Sequence, residues 1–456
     1  MRYIGIALII LSLPVFVAML RNDKVLSKYV YFAIGAAPLT LSMLNLDASL
    51  YNLSGLQYYA KGMVVTLLDT LCVAILLTQK RPLRKLPFVG IFAFYIFAIA
   101  VSALQAPGFM AQFSYAFQVA RMFVVFAAVA SLAQRPGAVQ WIAYGLAFGA
   151  IVQAGFAIKE RAGGELQASG TMGHQNLLGM MLHFVTLPLL AMLLAGNKSK
   201  FLMAGVAAGI LAVALGASRG SIGFLGIGIA LLFLLSLIRR TTPRKLGMIA
   251  YGAVVMLAVS PIVYDGLQQR FERLERAGGY DERAAFEQAA SMMWSDNPMG
   301  VGANRYSLVA NAGGYSERAG VHWNFNSRNA KVHHLYLLTG AELGYLGFLA
   351  LIAFLAVPIV KGLQFAFTNT RDPRGDIVLG ATAAVLITAI HSLYEWVFVV
   401  FNLQYMMAIS LGIIAAMIRQ RRADAGAAKR ARLRSGTMRA EPSPKPEPQL
   451  GRQGTS

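Results

Sequence analysis

The chain has 456 residues, is 57% hydrophobic and only 13% charged, and has a mean hydropathy of +0.57. Its formal net charge is +21 and it holds one cysteine, Cys72. So little charged surface excludes a soluble globular protein of this size, one cysteine in an apolar run excludes disulfides and thiolate metal sites, and basic residues confined to short segments between apolar runs argue for membrane topology rather than nucleic-acid binding.

Apolar runs long enough to span a bilayer fall at roughly 3–20, 28–46, 62–79, 87–104, 114–133, 137–157, 176–195, 201–217, 220–238, 246–264, 335–360, 377–395 and 400–418. They do not alternate polar with apolar, which excludes a membrane β-barrel. The first run lacks a small-x-small cleavage site and reads as a retained helix rather than a signal peptide. The fold class is therefore an all-α polytopic membrane protein of about 12–13 transmembrane helices. Thirteen spans put the N-terminus outside; twelve put both ends inside.

Basic clusters punctuate the runs: Arg21, Lys24 and Lys28; Lys80, Arg81, Arg84 and Lys85; Arg135; Lys198 and Lys200; Arg239, Arg240, Arg244 and Lys245; Lys361, Arg371 and Arg374. If the spans alternate, all lie on one side, which is then cytoplasmic. The expected organisation is an N-terminal bundle (1–264), an outer loop domain (265–334), C-terminal helices (335–418) and a disordered basic cytoplasmic tail (419–456) that anchors topology and can touch lipid headgroups. In the loop domain, DERAAFEQAASMMWSD at 281–296 has helical spacing, ended by Pro298, Gly300 and Gly302, and 311–330 reads as a flexible loop or lid.

Charges at the outer ends of the spans are the first candidates for chemistry. Arg219 stands at the tip of a tight hairpin, GASRGSIG, and Arg121 a turn or two inside its span. An arginine at a membrane edge costs about 2.5–3.5 kcal/mol on insertion scales, so it needs a partner or a task; its planar fork suits phosphate, and snorkelling to headgroups is the alternative. Arg161 lies in an outer loop beside Lys159 and Glu160, which read as a local ion pair. Arg283 sits on the loop helix. The densest signal is KVHHLYLLTGAELGYLG at 331–347. His333 and His334 stand where the loop enters a membrane helix, where a neutral imidazole is favoured and can act as a general base. Glu342 follows in that helix, and Gly340, Gly344 and Gly347 allow close packing. His174, His183, His322 and His391 are scattered and read as structural or surface residues. No H-E-x-x-H motif or cysteine cluster suggests zinc, and no Walker A loop suggests nucleotide-driven transport.

These residues resemble a known family. HHLYLLTGAELGYLG is similar to the H-N-x-Y-L-x4-E-x-G-x2-G signature of the O-antigen ligase and polymerase superfamily of bacterial membrane glycosyltransferases. His333, Tyr336, Leu337, Glu342, Gly344 and Gly347 match in register, and His334 stands in place of the usual Asn. ASRGSIG resembles the family's S-R-G element, and the run from Arg283 through Trp294 to NPMGVGANRY its loop helix followed by P-x-G-x-G. The resemblance implies an inverting, metal-independent transfer from an undecaprenyl-diphosphate-linked glycan donor to a lipid A–core hydroxyl, at the periplasmic face of the bacterial inner membrane. It implies membrane lipids as partners, no cofactor and no nucleic acid. On that reading Arg219 and Arg283 bind the diphosphate, with Arg121 and Arg161 as further cationic candidates. His333 is the base with His334 as its deputy, and Glu342 orients the histidine site or holds an arginine. Two other readings stay open: a polymerase using the same donor, against which the single large outer loop argues, and a lipid-linked glycan flippase, against which the lack of internal repeats argues.

Overall fold

The computed structural model describes residues 2–22, 26–44, 47–55, 57–79, 86–276 and 282–438. Lys24, Lys80, Arg81, Arg84, Lys85 and the tail beyond 438, all used in the topology reading, lie outside these residues, as does Asp281 at the start of the expected loop helix.

The described chain is an α-helical bundle with one small hairpin. In order come α1 (Arg2–Asn22), α2 (Leu26–Leu44), β1 (Asp47–Asn52), β2 (Gly62–Thr66), α3 (Leu67–Leu77), α4 (Val89–Ala103), α5 (Met110–Leu132), α6 (Ala138–Ala162), α7 (Gln175–Leu194), α8 (Lys200–Leu215), α9 (Arg219–Arg239) and α10 (Pro243–Arg276). Four short helices follow: α11 (Arg283–Asp296), α12 (Tyr306–Ala312), α13 (Tyr315–Arg318) and α14 (Phe325–Asn329). The long helices α15 (Leu335–Thr368), α16 (Arg374–His391) and α17 (Phe401–Met438) close the bundle. Among the described residues, seven helices are long and apolar enough to cross a membrane: α5, α6, α7, α9, α15, α16 and α17; shorter apolar stretches are Gly5–Arg21 of α1, and α3, α4 and α8.

Helix α7 is the axis. Every residue from Asn176 to Leu194 is buried, and α7 packs on α16, α8, α9, α6 and α17. An all-round apolar sequence such as NLLGMMLHFVTLPLLAMLL has no polar face to offer water and is stable only when surrounded. Nearby, α2 and α6 cross closely enough that a Cβ on Gly145 would meet the Ala36 amide nitrogen at 2.8 Å, so that crossing requires glycine.

Three expectations are corrected. The run 62–79 is not one span: Gly62–Thr66 pairs with β1, and α3 then has 11 residues, started by a capping box of Thr66 and Asp69. Helix α10 continues to Arg276, across the expected boundary at 264. Residues 419–438, expected to be disordered, continue α17 as helix.

The glycines of the 331–347 motif explain how the loop domain is seated. At Gly344 the chain leaves helical geometry, with φ 66° and ψ −165°, a region essentially reserved for glycine. The hydrogen bonds lost there are replaced by the loop after α11. Tyr345 N donates to Pro298 O (3.0 Å), Val301 N to Ala341 O (3.0 Å) and Gly302 N to Glu342 O (2.9 Å). The P-x-G-x-G loop and the E-x-G-x2-G kink thus interlock, and α11 packs on α15 through Trp294, whose ring lies 5.1 Å from both Tyr345 and Phe348.

Candidate active site

The bundle has two ends. At the end carrying α11–α14, α7, α9 and α15 begin and α16 finishes, so three helix N-termini converge on the segment after α16. His333 immediately precedes α15's N-cap. Its Nδ1 lies 3.4 Å from Oε2 of Glu395, whose side chain is only 3% exposed, while that of His333 is 23% exposed. This exceeds the ~2.7–3.2 Å of good hydrogen bonds, so the two atoms approach closely without a formed hydrogen bond. The other oxygen of Glu395 accepts from Asn176 Nδ2, in the first turn of α7, and lies 3.9 Å from Arg283 Nη2 at the start of α11. Leu335 N donates to Ser392 O (2.9 Å), which ties the start of α15 to the end of α16.

Arg219 is the exposed first residue of α9, capped by Ser218. The neighbouring Gly220 lies against His391, with its missing Cβ 2.9 Å from His391 Nε2. His391 in turn sits 3.2 Å from His183. Arg219 and Arg283 are therefore brought to the same end as His333, around the His391–Glu395 segment. Beside Arg219 an apolar cavity of about 610 Å³ runs between α8, α9 and α10, lined by Ile222, Leu225, Ile229 and Met256 and ending at Tyr264 and Asp265.

The two adjacent histidines have different environments. His334 is the N-cap of α15, and its Nδ1 accepts from Leu337 N at 3.2 Å. A nitrogen that accepts has no proton, so the neutral ring carries its proton on Nε2. Burial holds the His334 pKa below the usual range, against the opposing pull of Glu287. Its ring thus does the capping work of an Asn. The Nδ1 of His333 faces a carboxylate instead; a proton there leaves Nε2 as an acceptor. The same split recurs at His174, which caps α7 through Asn176 N (3.2 Å). Burial lowers its pKa, while the field of Glu395 raises it and that of His333 lowers it.

Other expected residues are placed elsewhere. Glu342 does not reach the histidines. It is buried, accepts from the backbone amides of Asn304 (2.9 Å), Arg305 (2.8 Å) and Tyr306 (2.8 Å), and takes the Tyr59 hydroxyl. It pins the hairpin and the loop onto α15. Arg121 is buried in the bundle, with Nε 2.8 Å from Asp69 Oδ2, and also donates to Tyr405. It ties together α3, α5 and α17 and is not gathered with Arg219 and Arg283. Arg161 folds back on its own loop, donating to Leu166 O at 2.7 Å, and Glu160, expected to pair with Lys159, instead accepts from Ser169 N and Gly170 N. His174 and His391, read as structural or surface residues, stand beside the cluster, whereas His322 is exposed against Glu282. Sequence reasoning missed Glu395 altogether. The signal was there: a carboxylate in the otherwise apolar SLYEWVFVV, the same oddity that drew attention to Arg219. Among the described residues, no group of three or more His, Cys, Asp or Glu is gathered to hold a metal ion.

Comparison with known families decides the class of the domain that carries His333, Arg219 and Arg283. The O-antigen ligase family model matches residues 178–352. Those residues carry the O-antigen ligase domain. The domain contributes most of α7, all of α8 to α14 and the first half of α15; Glu395, which faces its histidine, lies beyond it. O-antigen ligases and polymerases share this family, so the activity is of ligase or polymerase type on lipid-linked glycan. No curated protein matches the chain.

Proposed function

We propose that the chain is an O-antigen ligase: it transfers a glycan from an undecaprenyl-diphosphate donor to a hydroxyl of lipid A–core, at the periplasmic face of the bacterial inner membrane, with inversion and without a metal. The observation that supports this reading is the 3.4 Å approach of His333 to the buried carboxylate of Glu395, which Arg283 also faces at 3.9 Å, at the end of the bundle where Arg219 starts α9.

In the proposed reaction, His333 Nε2 takes the proton of the acceptor hydroxyl as its oxygen attacks the anomeric carbon. The bond from that carbon to the phosphate oxygen breaks on the opposite face, and undecaprenyl diphosphate leaves with the electron pair. Glu395 orients the ring and stabilises the imidazolium. Arg219 and Arg283 face the charge that grows on the departing diphosphate, where fixed cations in a partly dehydrated site act most strongly. The apolar cavity beside Arg219 takes the first part of the prenyl chain.

Lipopolysaccharide extracted from a strain lacking the gene tests the reading. Core without O-chains is expected. One-unit chains on the core would indicate a polymerase instead, and donor stranded in the inner leaflet a flippase.

A further inference from the structure

Between α13 and α15 the loop domain carries a short turn, from His322 to Arg328, that displays two large aromatic rings. Trp323 is 82% exposed and Phe325 68% exposed. Single exposed apolar residues need no explanation, but these two stand on a built frame. Both carboxylate oxygens of Glu282 accept from the turn, one from His322 N (2.9 Å) and the other from Ser327 Oγ (2.6 Å). Arg328 closes it by donating to Val321 O (3.1 Å) and His322 O (3.3 Å), and its own carbonyl accepts from Asn311 Nδ2 (2.7 Å). The Arg328 guanidinium lies 4.2 Å from the centre of the Trp323 ring and so backs the indole with a cation. Asn324 caps α14 by accepting from Ser327 N (2.9 Å). These bonds fix the turn while its rings face outward.

The turn is tied to the candidate site in both chain directions. Glu282 is the N-cap of α11 and immediately precedes Arg283, which faces Glu395 at 3.9 Å. On the other side, His333 follows Asn329 by four residues, a reach of at most roughly 14 Å. A glycan held at His333 thus meets this turn within a few sugar units.

The chemistry of the turn favours a sugar over a bilayer. Exposed Asn324 and Asn326 alternate with the rings, and the neighbouring Arg318–Asp296 pair, with both side chains more than half exposed, marks a charged, water-facing surface. A pyranose ring has C–H groups on one face and hydroxyls at its rim. Its C–H face packs on the negative face of an aromatic ring, and its hydroxyls suit amide side chains. We propose that Trp323 and Phe325 form a stacking subsite for pyranose rings of the glycan substrate, with Arg328 backing the indole and Asn326 meeting hydroxyls. The identity of the ligand rests on the glycan-transfer reading; the subsite does not depend on the chemistry at His333.

The test measures binding of lipid-free oligosaccharides to the full-length protein in detergent by calorimetry. One arm uses the oligosaccharide released from the donor, the other the delipidated core oligosaccharide. Wild type is expected to bind one of them, and Trp323→Ala or Phe325→Ala should weaken that binding about tenfold. Trp323→Leu, which keeps apolar bulk without an aromatic face, should weaken it as much; Trp323→Tyr should retain most of it. The arm that responds identifies the source of the ring. In a transfer assay the KM for that substrate should rise about tenfold with kcat near wild type. No binding in either arm, affinities unchanged by Trp323→Ala, or full binding by Trp323→Leu would overturn the proposal. So would unchanged affinities together with a melting temperature lowered by Trp323→Ala in lipid nanodiscs but not in detergent, since the turn would then be a bilayer anchor. A wild-type protein that binds through these rings but transfers nothing would sink the ligase reading and leave the subsite standing.

Discussion

Nδ1 of His333 faces Oε2 of Glu395 at 3.4 Å, and the other oxygen of that carboxylate is bound by Asn176 and faces Arg283. One buried group thus touches the candidate base, the first turn of the central helix and one candidate diphosphate ligand.

Glu395→Gln tests that relationship. The amide keeps the size of the side chain but cannot stabilise an imidazolium. Transfer is expected to fall by about two orders of magnitude. A merely structural role would lower the amount of folded protein and leave the rate per folded molecule in place.

The neighbouring histidines should separate by phenotype. His333→Ala is expected to lose about 10²–10⁴-fold in transfer with normal membrane insertion. His334→Asn should be close to wild type, since Asn caps a helix as well as any residue, and His334→Ala should cost about 1 kcal/mol of stability. A pH dependence follows. Burial depresses the His334 pKa in the folded protein, so the unfolded chain binds more protons as pH falls through the usual histidine range, and stability declines there. His334→Asn removes that contribution. Melting temperature measured between about pH 7.5 and 5 should fall less steeply in the variant.

Arg219→Ala and Arg283→Ala should each reduce transfer about 10²–10³-fold, as loss of a preorganised charge facing the leaving group does. Arg→Lys should restore little, because the two-pronged geometry is lost. Arg121→Lys should instead reduce the yield of folded protein, since Arg121 is a buried partner of Asp69. Assays at matched protein levels distinguish the two outcomes.

Gly344→Ala should destabilise the loop seat. The residue sits where L side chains are strained by about 1–3 kcal/mol, and its Cβ would meet the backbone of Pro298 and Met299. Proteolysis of the loop between α11 and α15 is expected to accelerate, with the membrane helices left intact.

Much of the fold was legible in the sequence because a membrane helix is written in a single apolar run, and each run has its helix. Boundaries failed where the sequence changes element without changing polarity. GMVVT is as apolar as the helix that follows, yet it pairs as a strand with β1. The tail reads as polar and loose, but its first part prolongs α17. In the candidate site, local signals pointed to His333, Arg219 and Arg283, because each is a polar group at a helix start, and the fold brings them to one end of the bundle. What sequence cannot supply is the partner. Arg121 looks like Arg219 until Asp69, 52 positions earlier, is seen to hold it. Glu342 belongs to the histidine motif, yet, nine positions after His333, it is turned toward the amides of residues 304–306, and the carboxylate at the histidine comes from Glu395, 62 positions after His333.

The most direct measurement is a transfer assay with purified protein, a defined undecaprenyl-diphosphate-linked glycan and a defined lipid A–core, run in EDTA and analysed for product and anomeric configuration. The account predicts an inverted glycosidic bond to the core for the wild-type protein, undiminished by the chelator and absent with His333→Ala. Glycan added to the donor's own chain, a dependence on one divalent metal, or undiminished transfer by His333→Ala would contradict it.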